Sequence, residues 1–485
     1  MASFLIFNMY AIKSTQARHR QETTWNQGLW MMPGSEERVK PMSRCVKFIW
    51  SSNENPTKSP QLCPGLRSWE TPCDIRIKIS WFSKPKEDCL MSYFAGDARY
   101  ELNFVMQTKL FLNNGVVTST GAAARDLEIE KALIVTGPIT AESEGLATAV
   151  ETLEGAKIKH AVWANVEPEV PERTVSACVN AYRENECNGI IAIGGGSSID
   201  TAKMAGCIIG GGGSIREYDL TQERQAPPNL PPLLCIPTTA GTGSEVTSMA
   251  VFTHGDDSSK RVVISANMCP NVALVDPLLT YSMPPDLTAV TGIDAFCHSI
   301  EAYLSTLSSP ISDSLSLYAM ELAAKFLPRA VKDGEDDEAR AGMSVAATMA
   351  GMAISHAMPH FAHAIGHVLG ARCHVPHGAA CSAVLPQGLR KLKSAQSGKF
   401  RKIACIFGLA PEDYAGEEAV ADAAIDAIEN MISTIGLPRL EDVMGQFEGK
   451  PSELVSACVI EPGMMFSPVP LSELDVMDIL GIKSG

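Results

Sequence analysis

Six of the chain's ten histidines fall within residues 356–377, in the run HAMPHFAHAIGHVLGARCHVPH. Histidine is the commonest metal-ligating side chain, and crowding it in this way points to a metal site. A second cluster lies upstream in GIDAFCHSIEAY, residues 292–303. If that segment is helical, Asp294 and His298 stand one turn apart on one face. His363 and His367 repeat the spacing in an Ala/Gly-rich stretch that reads as a buried helix, and His377 follows in a loop between Pro376 and Gly378. One carboxylate with three imidazoles suits Fe(II) or Zn(II), and the mixed oxygen and nitrogen set does not choose between them. A lone histidine on an apolar helix is more often a hydrogen-bonded core residue. Six together with a separate Asp-x-x-x-His argue for a metal, although not for six ligands. His356, His360 and His374 stay open as pocket-lining, supporting or surface residues.

Two glycine-rich segments carry a second kind of chemistry. GGGSSIDTAK, residues 194–203, follows the apolar run 189–193, which reads as a buried strand. The expectation is strand, tight turn, then helix from Asp200 onward, with Gly194, Gly195, Gly196 and Ser197 letting a phosphate approach the backbone. PTTAGTGSEVT, residues 237–247, follows a second apolar run, and its Thr238, Thr239, Thr242 and Ser244 could bond phosphate, ribose or carboxamide. Either segment alone reads equally well as an ordinary strand-end loop. Two of them at the carboxyl ends of strands define a nucleotide crevice.

These pieces, with VALVDP at 272–277, resemble the iron-containing (group III) alcohol dehydrogenase family, whose fold is dehydroquinate synthase-like. The likeness spans about residues 100–485, with the motifs in family order and spacing. It implies metal ligation by Asp294, His298, His363 and His377. It implies that His367 lies near the nicotinamide without being a ligand. It also implies NAD or NADP binding through Gly137, Gly194–Ser197, Asp200, Thr238, Thr239, Thr242 and Lys260, and a homo-oligomer, since members are commonly dimers or larger.

The residues themselves suggest a matching division. Strand candidates at 132–136, 161–166, 189–193, 233–236 and 272–275 alternate with helical patterns, which predicts an α/β domain with a mainly parallel sheet. After Pro284-Pro285 the chain turns Ala/Leu/Met-rich with helical periodicity, so an all-α metal-binding domain is expected over 286–485, after an α/β dinucleotide-binding domain over 101–285. Residues 1–100 form an extension without clear periodicity. They hold five of the six tryptophans and carry 14 Lys/Arg against 9 Asp/Glu, a balance of +5 in a chain of net charge −15. They read as a poorly ordered extension or a gene-model artefact. A mitochondrial presequence fits less well, since Phe4–Tyr10 is apolar and lacks arginine.

The expected reaction is hydride transfer between a small alcohol or carbonyl compound and a nicotinamide, with the metal as Lewis acid and His367 as proton relay. Gly137 stands where NAD-using relatives often place an aspartate for the ribose hydroxyl, which admits NADP. Met249 and Ile354 fall at family pocket positions and favour an apolar wall. The alternative is a hydroxyacid–oxoacid transhydrogenase or a maleylacetate-type oxo-acid reductase. Such substrates call for a basic pocket, and Arg372 is the one basic residue close in sequence to the ligands. A third reading is a non-catalytic nucleotide-binding module, against which the intact ligand set argues. The acidic balance speaks against nucleic-acid partners. The absence of any apolar run of about eighteen residues speaks against a membrane span. Fourteen scattered cysteines without a CxxC pair read as reduced thiols, hence a cytoplasmic protein, or alternatively one of the mitochondrial matrix.

Overall fold

The apolar runs of the first half become strands because both of their faces are covered. In β2 (Lys131–Val135), Leu133 and Val135 join one apolar layer while Ala132 and Ile134 join the other. That two-sided burial marks parallel strands with helices on each face. The computed structural model describes residues 104–256 and 259–483. The expectations for residues 1–100 therefore lie outside the described residues.

Six strands form one parallel sheet: β1 (Lys109–Leu112), β2, β3 (Lys159–Trp163), β4 (Gly189–Gly194), β5 (Leu233–Pro237) and β8 (Val272–Val275), in the order β1-β8-β5-β4-β2-β3. The helices among them are α1 (Thr120–Asp126), α2 (Glu144–Gly155), α3 (Glu172–Glu184) and α4 (Gly196–Gly211). The chain leaves β2 toward β3 and then returns across β2 to β4, so strand order reverses between β2 and β4. Ligands of open α/β sheets bind at the carboxyl ends of strands at such a reversal. A separate antiparallel pair, β6 (Met249–Thr253) and β7 (Lys260–Ile264), stands apart from the sheet.

From Pro285 onward every regular element is helical: α5 (Pro285–Leu304), α6 (Pro310–Lys332), α7 (Asp337–Ala357), α8 (Phe361–Cys373), α9 (His377–Leu392), α10 (Ser397–Ile406), α11 (Glu417–Thr434), α12 (Leu440–Met444), α13 (Pro451–Val459) and α14 (Glu473–Ile479). Proline opens α5 and α6 at their first position, where its missing N–H costs nothing. α5 runs through the centre, with residues 292–304 buried without a break. Among the described residues no helix is long and apolar enough to cross a membrane.

The structure departs from sequence expectation at three points. β1, β6 and β7 were not expected; four or five residues with mixed exposure leave little periodic signal. α4 starts at Gly196 rather than Asp200. Its glycines and serines have weak helix propensity, but Gly194, at φ +150°, turns the chain sharply enough for the helix to begin at once. His377 is the first residue of α9 rather than part of a loop. Pro376 before it blocks continuation of α8 and leaves the chain extended for a new start.

Candidate metal centre and dinucleotide crevice

Three helices bring the metal-type side chains together. On α5, Asp294, His298 and Glu301 are spaced i, i+4, i+7 and share one buried face. α8 supplies His363 and α9 supplies His377. Glycines permit the close approach. A Cβ at Gly378 would lie 2.1 Å from the Val290 carbonyl oxygen and 3.3 Å from the Asp294 Cβ, so α9 can lie against α5 only without a side chain there.

Asp294 Oδ1 is 3.5 Å from His363 Nε2 and 3.5 Å from His377 Nε2. With the Cys381 thiol, these donors all lie within 4.8 Å of one another. The fourth expected ligand, His298, falls outside that set. Its Nδ1 is 3.9 Å from Asp294 Oδ2, and its ring stacks on His363 at 4.4 Å. Asp294 Oδ1, His298 Nδ1 and His363 Nε2 are buried without hydrogen-bond partners. Buried polar atoms are normally satisfied, so the orphaned Asp294 Oδ1 and His363 Nε2 beside His377, with the orphaned His298 Nδ1 next to Asp294, fit a divalent cation.

Glu301 is the functional residue that sequence reasoning missed. One carboxylate oxygen accepts from the backbone N–H of His360 at 3.1 Å and of Ala362 at 2.7 Å, which caps the start of α8. The other oxygen is hydrogen-bonded to His363 Nδ1. The only signal in sequence was its place in the helical register, seven residues after Asp294. A carboxylate on the far nitrogen of a ligating histidine fixes the tautomer and orients the ring.

The charges follow this geometry. Burial works against the Asp294 carboxylate, but His298, His377 and His363 more than offset it and hold the group well below the usual carboxylate range. Burial brings His298 down to about 4 and His377 to about 3, so both rings are neutral with lone pairs available near pH 7. His363 moves the other way, to about 10: burial opposes its charge, and the flanking Glu301 and Asp294 carboxylates outweigh burial, so without a cation Nε2 also carries a proton, which a bound cation would displace. Glu301 sits at about 2, where burial is overcome chiefly by His363.

The remaining histidines separate by position. His367, on α8, stacks on His377 at 5.3 Å, and its Nδ1 faces Glu461 Oε2 at 3.7 Å. His360 is fully buried beside Glu301, and burial brings it to about 4. His356 stacks on Phe104 and bonds the Met352 carbonyl. His374 ends α8 in the left-handed conformation, exposed.

The two glycine-rich segments meet as expected at the carboxyl ends of β4 and β5. Gly195 and Gly196 lie so close to Thr239 and Thr242 that an added Cβ would come within 3.2 Å and 2.6 Å of the threonine methyls. The Thr238 N–H bonds the Gly194 carbonyl at 3.0 Å. No side chain caps α4 at Gly195, which leaves its first-turn N–H groups facing the crevice. Gly137, after β2, has only the Val166 carbonyl oxygen near an added Cβ, at 3.9 Å, so a Cβ would fit there in ordinary contact. Asp200 and Lys260 are held by protein groups. Asp200 accepts from Ser244 Oγ at 2.5 Å and Val251 N at 2.9 Å, and Lys260 Nζ donates to Glu169 Oε2 at 3.0 Å and Thr253 Oγ1 at 2.9 Å. Lys203, unnoticed in the motif, is buried and donates to Ser244, Thr247 and the Met249 carbonyl; burial lowers its ammonium. Met249 packs against Ile354 and Ala302 in an apolar cluster, and Arg372 is exposed.

A glycine pair ties the crevice to the helices. Gly243, at φ +62°, touches Gly351 of α7: a Cβ on Gly351 would lie 2.6 Å from the Gly243 carbonyl oxygen. Beside it, Thr348 Oγ1 donates to the buried Glu245 at 2.8 Å. Gly351→Ala is expected to cost about 1–3 kcal/mol of stability by overpacking and to weaken cofactor binding. Thermal unfolding and a cofactor titration would check this; unchanged values in both would show that the contact is dispensable.

A parallel sheet with an anion-binding crevice and a helical domain with a carboxylate–imidazole centre define a metal-dependent dinucleotide oxidoreductase. Residues 107–277 match the model of the iron-containing alcohol dehydrogenases, and residues 288–481 match that of the C-terminal region of the Fe-containing alcohol dehydrogenase family. The chain belongs to the iron-containing alcohol dehydrogenase family, as an NAD-linked oxidoreductase. It is 37% identical to a choline dehydrogenase of Bacillus subtilis over 329 residues, 68% of this chain and 82% of that protein. It is 35% identical to an NAD-dependent methanol dehydrogenase of Bacillus methanolicus over 339 residues, 69% of this chain and 87% of that one. The crystal structure of a 1,3-propanediol oxidoreductase superposes with a TM-score of 0.74 at 30% identity, covering 78% of this chain and 98% of that chain.

Proposed function

We propose that the enzyme interconverts a small, largely apolar alcohol and its aldehyde or ketone. Ligation is by Asp294, His363, His377 and His298, and the nicotinamide cofactor lies in the crevice formed by Gly194–Ser197 with Thr238, Thr239 and Thr242. The observation that carries the reading is the set of three orphaned buried donor atoms between α5 and α8, beside His377. When bound, an Fe(II) or Zn(II) ion supplies Lewis-acid polarisation of the substrate oxygen, and NAD or NADP supplies the hydride chemistry. The chain does the rest. Glu301 keeps the proton of His363 on Nδ1, so that Nε2 faces the ligand cluster. His367, with Nδ1 toward Glu461, exchanges the substrate proton at Nε2. Met249 and Ile354 line an apolar wall that favours uncharged substrates over oxo acids.

The finer assignments belong to the same reading. The α/β dinucleotide-binding domain runs over 101–285 and the helical metal-binding domain over 286–485. The enzyme works as a homo-oligomer in the cytoplasm, or alternatively in the mitochondrial matrix. Iron is the resident metal, with zinc as the alternative.

Gly137 carries no acidic group to bond a ribose hydroxyl or to repel a 2′-phosphate, so NADP is accepted beside NAD. The experiment is a panel of alcohols, aldehydes and oxo acids assayed with both cofactors. Comparable kcat/KM for NADPH and NADH is expected, and Gly137→Asp should shift the ratio toward NADH by roughly tenfold or more, the equivalent of about 1.4 kcal/mol. A strong NADH preference in the unaltered enzyme would sink the Gly137 argument. Turnover confined to oxo acids would sink the substrate reading.

A further inference from the structure

We propose that Lys203 is a positioning residue for substrate selection: from inside α4 it holds the Met249 segment of the substrate wall at a fixed place relative to the dinucleotide crevice. The inference rests on the functional reading above, in which Met249 and Ile354 form that wall. Lys203 lies two turns into α4 and is 1% exposed. Its Nζ donates to Ser244 Oγ at 3.0 Å, to Thr247 Oγ1 at 2.8 Å and to the Met249 carbonyl at 3.0 Å. An ammonium has three N–H groups, and these three acceptors take them all. No N–H is left for a phosphate or a substrate, so the side chain acts through what it holds rather than by touching a ligand.

Asp200, one turn earlier on the same helix, completes the arrangement. It accepts from Ser244 Oγ at 2.5 Å and from the Val251 N–H at 2.9 Å. The Ser244 hydroxyl therefore accepts from Lys203 and donates to Asp200. Among the described strands β6 pairs with β7 alone, so its other edge needs partners from elsewhere. Met249 and Val251, two residues apart, turn a carbonyl and an N–H to that edge, and α4 meets them with one cation and one carboxylate. The Thr253 N–H, two residues further on, bonds the Val170 carbonyl at 2.9 Å.

Fixing the Met249 backbone fixes where its side chain stands. That side chain packs against Ala302 of α5 and Ile354 of α7. α4 begins in the glycine-rich turn of the crevice, and α5 carries Asp294 and Glu301. Lys203 thus connects the helix at the crevice to the wall beside the metal-type residues. The two anchors on α4 divide the work. Without Lys203, Asp200 still holds Ser244, and the first-turn N–H groups of α4 are untouched, so the crevice keeps its shape. The Met249 carbonyl is then left with the Thr247 hydroxyl, at 3.3 Å, which has itself lost its bond to Lys203. The wall loosens while the crevice does not.

The test is Lys203→Met in the full-length enzyme, which keeps the length of the side chain and removes its three donors. The ratio of kcat/KM for hexanal to that for propanal is expected to rise about tenfold, the low end of what the fit of one methylene is worth. The Kd for NADH, from a fluorescence titration, should be little changed. In a Met249→Ala background the same substitution should leave the ratio where it was, because the lysine acts through that residue. A ratio that does not move in Lys203→Met, a loss confined to NADH affinity, or a full rise that persists in the Met249→Ala background overturns the proposal. If Lys203→Met does not fold, Thr247→Val removes one of the three acceptors without touching a charge and must move the ratio in the same sense; an unmoved ratio there overturns the proposal equally. No reduction of either aldehyde by the unaltered enzyme overturns the functional reading, and the role of Lys203 falls with it.

Discussion

His363→Ala is expected to abolish turnover and empty the metal centre while leaving a folded protein. His363 Nε2 is one of the orphaned donors, and it is 3.5 Å from Asp294. A Lewis acid contributes several kcal/mol to such a reaction, so kcat/KM should fall roughly a thousandfold or more. The fold should survive at a lower unfolding temperature, because the buried Glu301 carboxylate loses its His363 partner while the imidazole itself does not hold α8 in place. That task belongs to Glu301, which retains the His360 and Ala362 N–H groups in the variant. Metal content by elemental analysis and helicity by circular dichroism separate the two effects. A variant that keeps metal and turnover would remove His363 from the ligand set.

The second large effect is expected at Glu301, where two substitutions should part company. Glu301→Gln keeps an oxygen for the His360 and Ala362 N–H groups but turns an amide N–H toward His363 Nδ1. The imidazole must then accept at Nδ1 and carry its proton on Nε2, the atom aimed at the ligand cluster. Metal affinity should fall about 10–100-fold, as for the loss of other groups that orient a ligating histidine, with little change in unfolding temperature. Glu301→Ala removes the cap of α8 as well and takes away one of the two carboxylates that flank His363. Breaking a buried ion pair on one side costs about 3–5 kcal/mol, so this variant should be clearly destabilised. If the glutamine variant binds metal normally, tautomer control is not the role of Glu301. If the alanine variant is as stable as the parent, the helix-capping role is wrong.

What could be read from the sequence depended on range. Asp294 and His298, or His363 and His367, are four residues apart, and helical periodicity alone puts each pair on one face. The runs 189–193 and 233–236 are apolar throughout, which is how strands buried on both faces look, so the parallel sheet was legible from them. Glu301 offered only its helical register, seven residues after Asp294, because its partners His360, Ala362 and His363 lie 59 to 62 residues away. The start of α4 was misplaced because propensity disfavours Gly-Gly-Ser-Ser as a first turn, whereas the strand-to-helix turn at Gly194 imposes it. The short β1 and the β6–β7 pair were not legible because four or five residues of mixed exposure carry little periodic signal. The tie between crevice and helices rests on the contact of Gly243 with Gly351, two residues that carry no side-chain signal at all.

On the proposed mechanism, hydride transfer requires a metal held by the α5–α8–α9 cluster. The most direct measurement follows nicotinamide absorbance as the full-length enzyme reduces small aldehydes with NADH and NADPH, first stripped of metal and then reconstituted with Fe(II) or Zn(II). Negligible turnover is expected in the stripped protein, with recovery on adding one metal equivalent and no recovery in His363→Ala. Undiminished turnover after complete removal of metal, or full recovery in His363→Ala, would contradict that mechanism.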